Sequence, residues 1–153
     1  MGAEYRPEIN LSGPALVALL QAVLARGADF RFRASGSSMH PFIRDGDILV
    51  ISPLPARGPA PGQVIAYRQA QSGGLVVHRL VGRLGGDWLL RGDNATGKAG
   101  ETVATGDLLG VVSSIERNGA RRRMGLGPER QLLAWLSRSG RLVPLIQLLR
   151  CLK

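Results

Sequence analysis

The stretch "SGSSMHP", residues 35–41, places Ser35, Ser37 and Ser38 in one short turn ahead of a strand-like run. Serine hydroxyls are weak nucleophiles, so one that attacks a carbonyl needs a base within hydrogen-bond reach and donors to hold the oxyanion. The lysines are poorly placed to be that base, since Lys98 falls in a glycine-rich turn and Lys153 is the last residue. Of the two histidines, His40 adjoins the serines and is expected to point to solvent, whereas His78 stands in "LVVHRLVG" on an expected strand. A lone imidazole among valines and leucines is costly to bury without a hydrogen bond. Asp93, in "LLRGDNA", follows a strand end in a Gly-Asp-Asn turn that can project its carboxylate. If the two strands form a hairpin around "GRLGGD", Asp93 comes near the start of the His78 strand, where it could orient the imidazole and stabilise its protonated form. A satisfied structural histidine and a plain turn cap are the competing readings of these two residues.

The elements that must position these groups are legible from periodicity. From Asp29 onward the apolar period is two: "DFRFRA", "DILVIS", "QVIAYR", "LVVHRLVGR", "DWLLRG" and "DLLGVVSSIE" are short and separated by Gly, Pro and Asp. The spacing predicts a mainly β core, a small barrel or folded sheet, over residues 29–116. Ahead of it, residues 1–28 read as a helical segment. Ser12 is a candidate cap, Pro14 falls in the first turn and Gly27 is a stop, with Leu16, Leu19, Leu20, Val23 and Leu24 on one face. After the Gly/Arg-rich "NGARRRMGLGP", residues 117–153 read as a basic tail with two short amphipathic helices, "ERQLLAWLSRS" and "RLVPLIQLLRCL". Such helices can lie on a membrane surface or pack on the core with their arginines outward.

Composition narrows the classes. At 153 residues the chain is the size of one ordinary domain. The formal charge of +9 is concentrated at one end: residues 1–112 carry 11 Lys+Arg against 9 Asp+Glu, and residues 113–153 carry 9 against 2. The basic end suits an anionic membrane surface, nucleic acid or an acidic partner. Nucleic acid is disfavoured, because the tail has one Trp and no Tyr or Phe to stack on bases. Cys151 is the sole cysteine, which excludes an intrachain disulfide and a cysteine-based metal site. With only two imidazoles besides, no metal and no cofactor is expected. The uncharged run from Ile9 to Ala25 is 17 residues, short of the about 20 that span a bilayer. Glu4 and Glu8 interrupt the basic start of a cleavable signal peptide. A cytoplasmic or peripherally membrane-associated protein is expected.

Taken together, the boxes resemble the signal peptidase superfamily of serine peptidases. "GSSMHP" is similar to the Gly-x-Ser-Met-x-Pro box around its nucleophile, and "DGDILVI" and "PGQVIAYR" to the two strand boxes that follow. "VVHRLVG" resembles the box of the general base and "LLRGDNA" the Gly-Asp-Asn box, all in order between about Phe30 and Val112. In the usual bacterial type a lysine is the base; a histidine there, as at His78, resembles the archaeal and endoplasmic reticulum type. The resemblance implies a β-rich peptidase fold in which Ser38 attacks the peptide carbonyl, His78 accepts its proton and Asp93 completes the site. It implies that the Ser38 backbone N–H holds the oxyanion, that Gly36 lets the backbone approach the substrate and that Met39 lines the pocket floor. Pro41 would set the turn, and Ser35 and Ser37 would favour it or donate hydrogen bonds nearby. The substrate would be a precursor peptide lying as an added strand, cut after small residues of the Ala-x-Ala kind.

Three features depart from that pattern. Histidine-type members carry a second aspartate six residues after the Gly-Asp aspartate, and here that position is Ala99. Asp93 alone, Asp107 of "TGDLLG" from the next strand, a Ser-His dyad, or a weakened site are the alternatives. An N-terminal membrane span is not expected, and the step of 15 positions from His78 to Asp93 leaves no room for the extra domain of many bacterial members. Two other readings share the fold: a self-cleaving repressor-type peptidase, disfavoured by the missing lysine and the single helix ahead of the core, and an inactive peptide-binding or membrane-surface module.

Overall fold

The computed structural model describes residues 13–98 and 100–152. The candidate cap Ser12 and the alanine at 99 lie outside the described residues. The chain runs α1 (Gly13–Ala25), β1 (Phe30–Arg33), β2 (Ile48–Pro53), β3 (Val64–Arg68), β4 (Leu75–Leu84), β5 (Asp87–Arg91), β6 (Glu101–Val103), a single 3₁₀ turn (Thr105–Asp107), β7 (Leu108–Arg117), β8 (Ala120–Arg122), α2 (Arg130–Arg138) and α3 (Leu142–Cys151). The expected mainly β core with an N-terminal helix and C-terminal helices is what forms.

All strand pairs are antiparallel, in the order β1-β2-β7-β3-β4-β5-β6 with β8 on β7. The order has two ends, β1 and β6, so the sheet is folded and not closed. Register shifts at Val50/Ile51, Ala66/Tyr67 and Leu80/Gly82 bend it where an extra residue interrupts the ladder. The curled sheet makes two apolar cores. Val64 and Ala66 face one, with Leu49, Ile51, Leu109, Val112 and Ile115; Ile65 and Tyr67 face the other, with Leu80 and Leu90. β3 is therefore buried on both faces, which explains its near-continuous apolar run.

The hairpin expected around "GRLGGD" forms between β4 and β5, with Leu84 opposite Asp87. β6 and β8 have no counterpart among the expected strands: each is only three residues long, too short for a period to register. β8 continues the ladder of β7 through a turn at Asn118 and Gly119, both at positive φ, inside the stretch that reads as a Gly/Arg linker.

The helices differ in detail from the expected stripes. In α1 the buried residues are Val17, Leu20 and Leu24, while Leu19 stays exposed. The inward face is shifted from the expected stripe, since in this alanine- and leucine-rich helix Gln21 is the one polar side chain that marks its outer edge. Of the two readings of the tail, packing on the core applies to α2, which buries Leu133, Ala134 and Ser137 and lies against β4. α3 packs on α2 and buries only Leu142.

Leu20 is fully buried between α1 and the sheet. Leu20→Ala is expected to cost about 2–5 kcal/mol of unfolding free energy, read from urea denaturation.

Candidate active site

Ser38 lies in the loop between β1 and β2, and that loop is closed by its own acids. The Gly36 N–H donates to Asp45 Oδ1 at 2.8 Å, and Ala34 and Gly46 tie the loop base through the Asp47 and Ala34 carbonyls. The buried Asp47 carboxylate accepts from the Arg44 N–H at 2.7 Å and from Arg117 of β7 at 2.8 and 2.7 Å. Burial alone would raise this carboxyl; the Arg117 and Arg44 hydrogen bonds outweigh it and hold it below the usual carboxylate range. The "DGD" motif is thus the clamp of the serine loop. Within the loop Met39 and Ile43 are buried in the first core, while Ser35, Gly36, Ser37 and Ser38 are exposed. Gly36 adopts φ +92°, which favours glycine, and the space above it is open. Among the described hydrogen bonds the Ser38 N–H has no acceptor, so it is free to donate. His40 does not simply face solvent: its Nδ1 accepts from Arg150 of α3 at 3.0 Å.

His78 is half-buried on β4, on the face that carries Val76 and Leu80. Its Nδ1 lies 3.0 Å from Tyr67 Oη, and the same hydroxyl donates to Glu101 Oε2 at 2.5 Å. Burial pushes the imidazole below its ordinary value, and the charges of Glu101 and Asp93 oppose that only in part. The ring is therefore neutral near pH 7, the state a base requires. Its Nε2 borders Gly92. A side chain on Gly92 would meet the Ser38 carbonyl oxygen at 2.6 Å and His78 Nε2 at 3.4 Å, so only glycine lets the two approach here. Among the described hydrogen bonds none joins Ser38 Oγ to His78, and in catalytic sites such bonds often tighten only once substrate is bound.

Asp93 comes close to the His78 strand, as the hairpin predicts, but its carboxylate does not bond the imidazole. Both oxygens are taken by the neighbouring Arg79, at 2.7 Å from Nε and 2.6 Å from Nη2, with both side chains fully buried. Arg79 Nη1 also donates to the Gly62 and Gly125 carbonyls, and its guanidinium stands 5.6 Å from the Phe42 ring centre. The Gly-Asp-Asn turn held in this way reaches the serine loop: the Asn94 N–H donates to the Ser38 carbonyl at 2.9 Å and its side chain to the Ser37 carbonyl at 3.2 Å. Arg91 braces the same turn through the Ala95 and Gly97 carbonyls. Asp107 pairs with Arg68 at 2.9 Å, on a partly exposed surface, and makes no hydrogen bond to His78.

Beside Ser38 opens an apolar cleft of about 230 Å³, with Phe32, Ala34, Met39, Ile43, Leu49 and Leu75–Val77 among its lining residues. Two strand edges border it: the outer edge of β1, and residues 75–78 of β4, whose pairing with β5 starts only at Arg79. Met39 lies at its buried side. No group of three or more His, Cys, Asp or Glu among the described residues could hold a metal ion.

The family model Peptidase S24-like matches residues 7–113 of this chain, which covers α1, the serine loop and the sheet through the first half of β7. The chain belongs to that family, and the class it defines is a serine-type peptidase. No curated protein matches the sequence.

Sequence reasoning brings Ser38, His78 and Asp93 to one region and misses Arg79, Tyr67, Glu101, Gly92 and Asn94. Arg79 carries a usable signal: an arginine at an inward position of an apolar strand needs a buried counter-charge.

Asp93→Asn leaves Arg79 buried beside a neutral amide, and should lower unfolding free energy by roughly 3–5 kcal/mol in chemical denaturation. Asp107→Asn, at a partly exposed pair, should cost no more than about 1 kcal/mol; equal losses would contradict this reading of the two acids.

Proposed function

We propose that this chain is a serine endopeptidase of the signal peptidase type, cleaving signal or leader peptides after small residues in an Ala-x-Ala-like pattern. The observation that carries the reading is the small apolar cleft next to Ser38, bordered by two strand edges with free backbone groups. An extended peptide fits between such edges as an added strand, with alternate side chains turned into the cleft. The apolar floor of Met39, Ile43 and Leu49 suits small apolar side chains such as alanine at the two inward positions.

In this mechanism Ser38 Oγ attacks the scissile carbonyl as its proton passes to His78 Nε2. The Ser38 N–H stabilises the oxyanion, and the histidinium returns the proton to the leaving amine. Water then attacks the acyl-enzyme by the same base and releases the new carboxylate. Asp93 serves through its charge and through the turn it anchors. Gly36, Ser37 and Pro41 hold the loop that presents the nucleophile.

The expected partner beyond the peptide is an anionic membrane surface. Leu132, Trp135, Leu145, Leu148 and Leu149 are exposed on α2 and α3, with Leu152 just past the end of α3, beside Arg138, Arg141 and Arg150. Apolar side chains next to cations match the chemistry of an anionic bilayer surface. No helix among the described residues is long and apolar enough to cross a membrane, so the association would be peripheral. Through the Arg150–His40 contact this surface adjoins the serine loop, which would bring the cleft to where membrane-inserted precursors emerge.

Purified protein is expected to cleave a peptide with Ala at both recognition positions. Ser38→Ala and His78→Ala should each lower kcat/KM at least ~100-fold, the scale of a lost nucleophile or base. Because burial lowers the His78 pKa, the acidic limb of kcat/KM should fall below about pH 6.5, with activity lost as pH drops through it. Cleavage surviving Ser38→Ala would sink the mechanism. Cleavage of the chain itself at a concentration-independent rate, with no cut in added peptide, would favour the self-cleaving reading. A folded protein that cuts neither would favour a peptide-binding module.

In vesicle flotation the protein should rise with anionic liposomes and stay behind with neutral ones. Replacing Leu148 and Leu149 by Ser should weaken the binding, and protein that remains in the aqueous fraction with both lipids removes the membrane partner.

A further inference from the structure

Two groups beside the proposed base have no part in the Ser38–His78 mechanism. Tyr67 is fully buried on β3, one diagonal step from His78 on the same sheet face. Glu101 comes from β6, and with His78, Leu90, Arg91, Gly92 and Ala95 it lines a small cavity behind the imidazole. A buried phenol is costly without a partner, and a phenylalanine would fill the same apolar space. The Tyr67 hydroxyl therefore needs a reason to be there.

Proton counting supplies one. A carboxylate can only accept, so the single phenolic proton goes to Glu101, consistent with their 2.5 Å separation. The Tyr67 oxygen can then only accept from His78, so Nδ1, at 3.0 Å, must carry the hydrogen. In a neutral imidazole that leaves Nε2 as a bare lone pair, and Nε2 is the nitrogen that borders Gly92 and the Ser38 backbone. The opposite tautomer would present an N–H to the serine and could not accept its proton. Asp93 does not fix the tautomer, because its carboxylate, turned to Arg79, makes no hydrogen bond to the imidazole.

We propose that Tyr67 and Glu101 form a relay that orients His78, with Tyr67 fixing the Nδ1–H tautomer and Glu101 supplying the charge that stabilises the imidazolium once Nε2 has taken the proton. Both are positioning residues, since neither borders the cleft beside Ser38. No proton needs to leave Tyr67: burial and the adjacent Glu101 carboxylate push its pKa far above the ordinary value, so it serves as a hydrogen-bonded spacer. The charged groups near the ring are Glu101 and Asp93, with Arg79 holding Asp93 and Arg91 across the small cavity. The role in rate rests on the Ser38–His78 reading; the tautomer does not.

The test is long-range ¹H–¹⁵N NMR of the full-length labelled protein, which has two histidines, with His40→Gln assigning the signals. His78 is expected as the Nδ1–H tautomer at neutral pH. Tyr67→Phe should mix or reverse the tautomer. Glu101→Gln, whose amide oxygen can still accept from Tyr67, should keep the tautomer and move the His78 titration to lower pH. In peptide cleavage both variants should lower kcat by roughly 10- to 100-fold, part of the ~10²–10⁴ a placed base contributes, with KM nearly unchanged. Glu101→Asp should restore part of the rate. An Nε2–H tautomer in the unmodified protein, or tautomer and titration unmoved in both variants, overturns the relay. An Nδ1–H tautomer in a protein that cleaves nothing supports the relay and removes the peptidase reading instead.

Discussion

The buried ion pair between Arg79 and Asp93 holds the rest of the site in place. Two unpaired charges in this interior would each cost several kcal/mol, and the pair stays there because each guanidinium nitrogen has a hydrogen-bond partner. Asp93 takes two of its donors, the Gly62 and Gly125 carbonyls take the third nitrogen, and Phe42 lies over its face. These partners come from four separate parts of the chain: the turn after β5, the entry to β3, the segment before α2 and the serine loop. One side chain thus fixes where the Gly-Asp-Asn turn sits, and Asn94 passes that position to the Ser37 and Ser38 carbonyls.

This arrangement divides work that a simple triad gives to one carboxylate. The acid expected to serve the base neutralises a buried arginine, and the imidazole of His78, the proposed base, is instead hydrogen-bonded through Nδ1 to a tyrosine backed by a glutamate on another strand. His78 and Arg79 are consecutive, so on a strand they point to opposite faces. Arg79 turns toward the Gly-Asp-Asn turn and His78 toward Tyr67. Gly92 separates the two systems and leaves the gap through which the imidazole and serine loop approach.

Much of this is legible in the sequence where a local pattern carries it. Six strands, the β4–β5 hairpin and the helices follow from apolar period and turn residues, and motif order brings Ser38, His78 and Asp93 to one region. What escapes depends on pairing over long sequence distance. Glu101 is 34 residues from Tyr67 and sits on a strand of three residues, so no period marks it. Tyr67 reads as an ordinary strand aromatic, because nothing local distinguishes a hydroxyl with partners from one in solvent. The role of Asp93 is hidden for a related reason: two candidate partners stand side by side at 78 and 79, and only the sheet decides which of them faces the turn.

Whether Ser38 is a nucleophile beside a cleft that holds a peptide as an added strand can be read from a crystal structure with a short alanine-containing peptide boronic acid. Such a group mimics the tetrahedral intermediate when a serine oxygen adds to boron. The predicted result is a bond from boron to Ser38 Oγ, a boronate oxygen at the Ser38 N–H, His78 Nε2 at the bonded oxygen, and the peptide backbone between β1 and residues 75–78. Boron bonded to another residue, or a peptide seated away from that cleft, would contradict it.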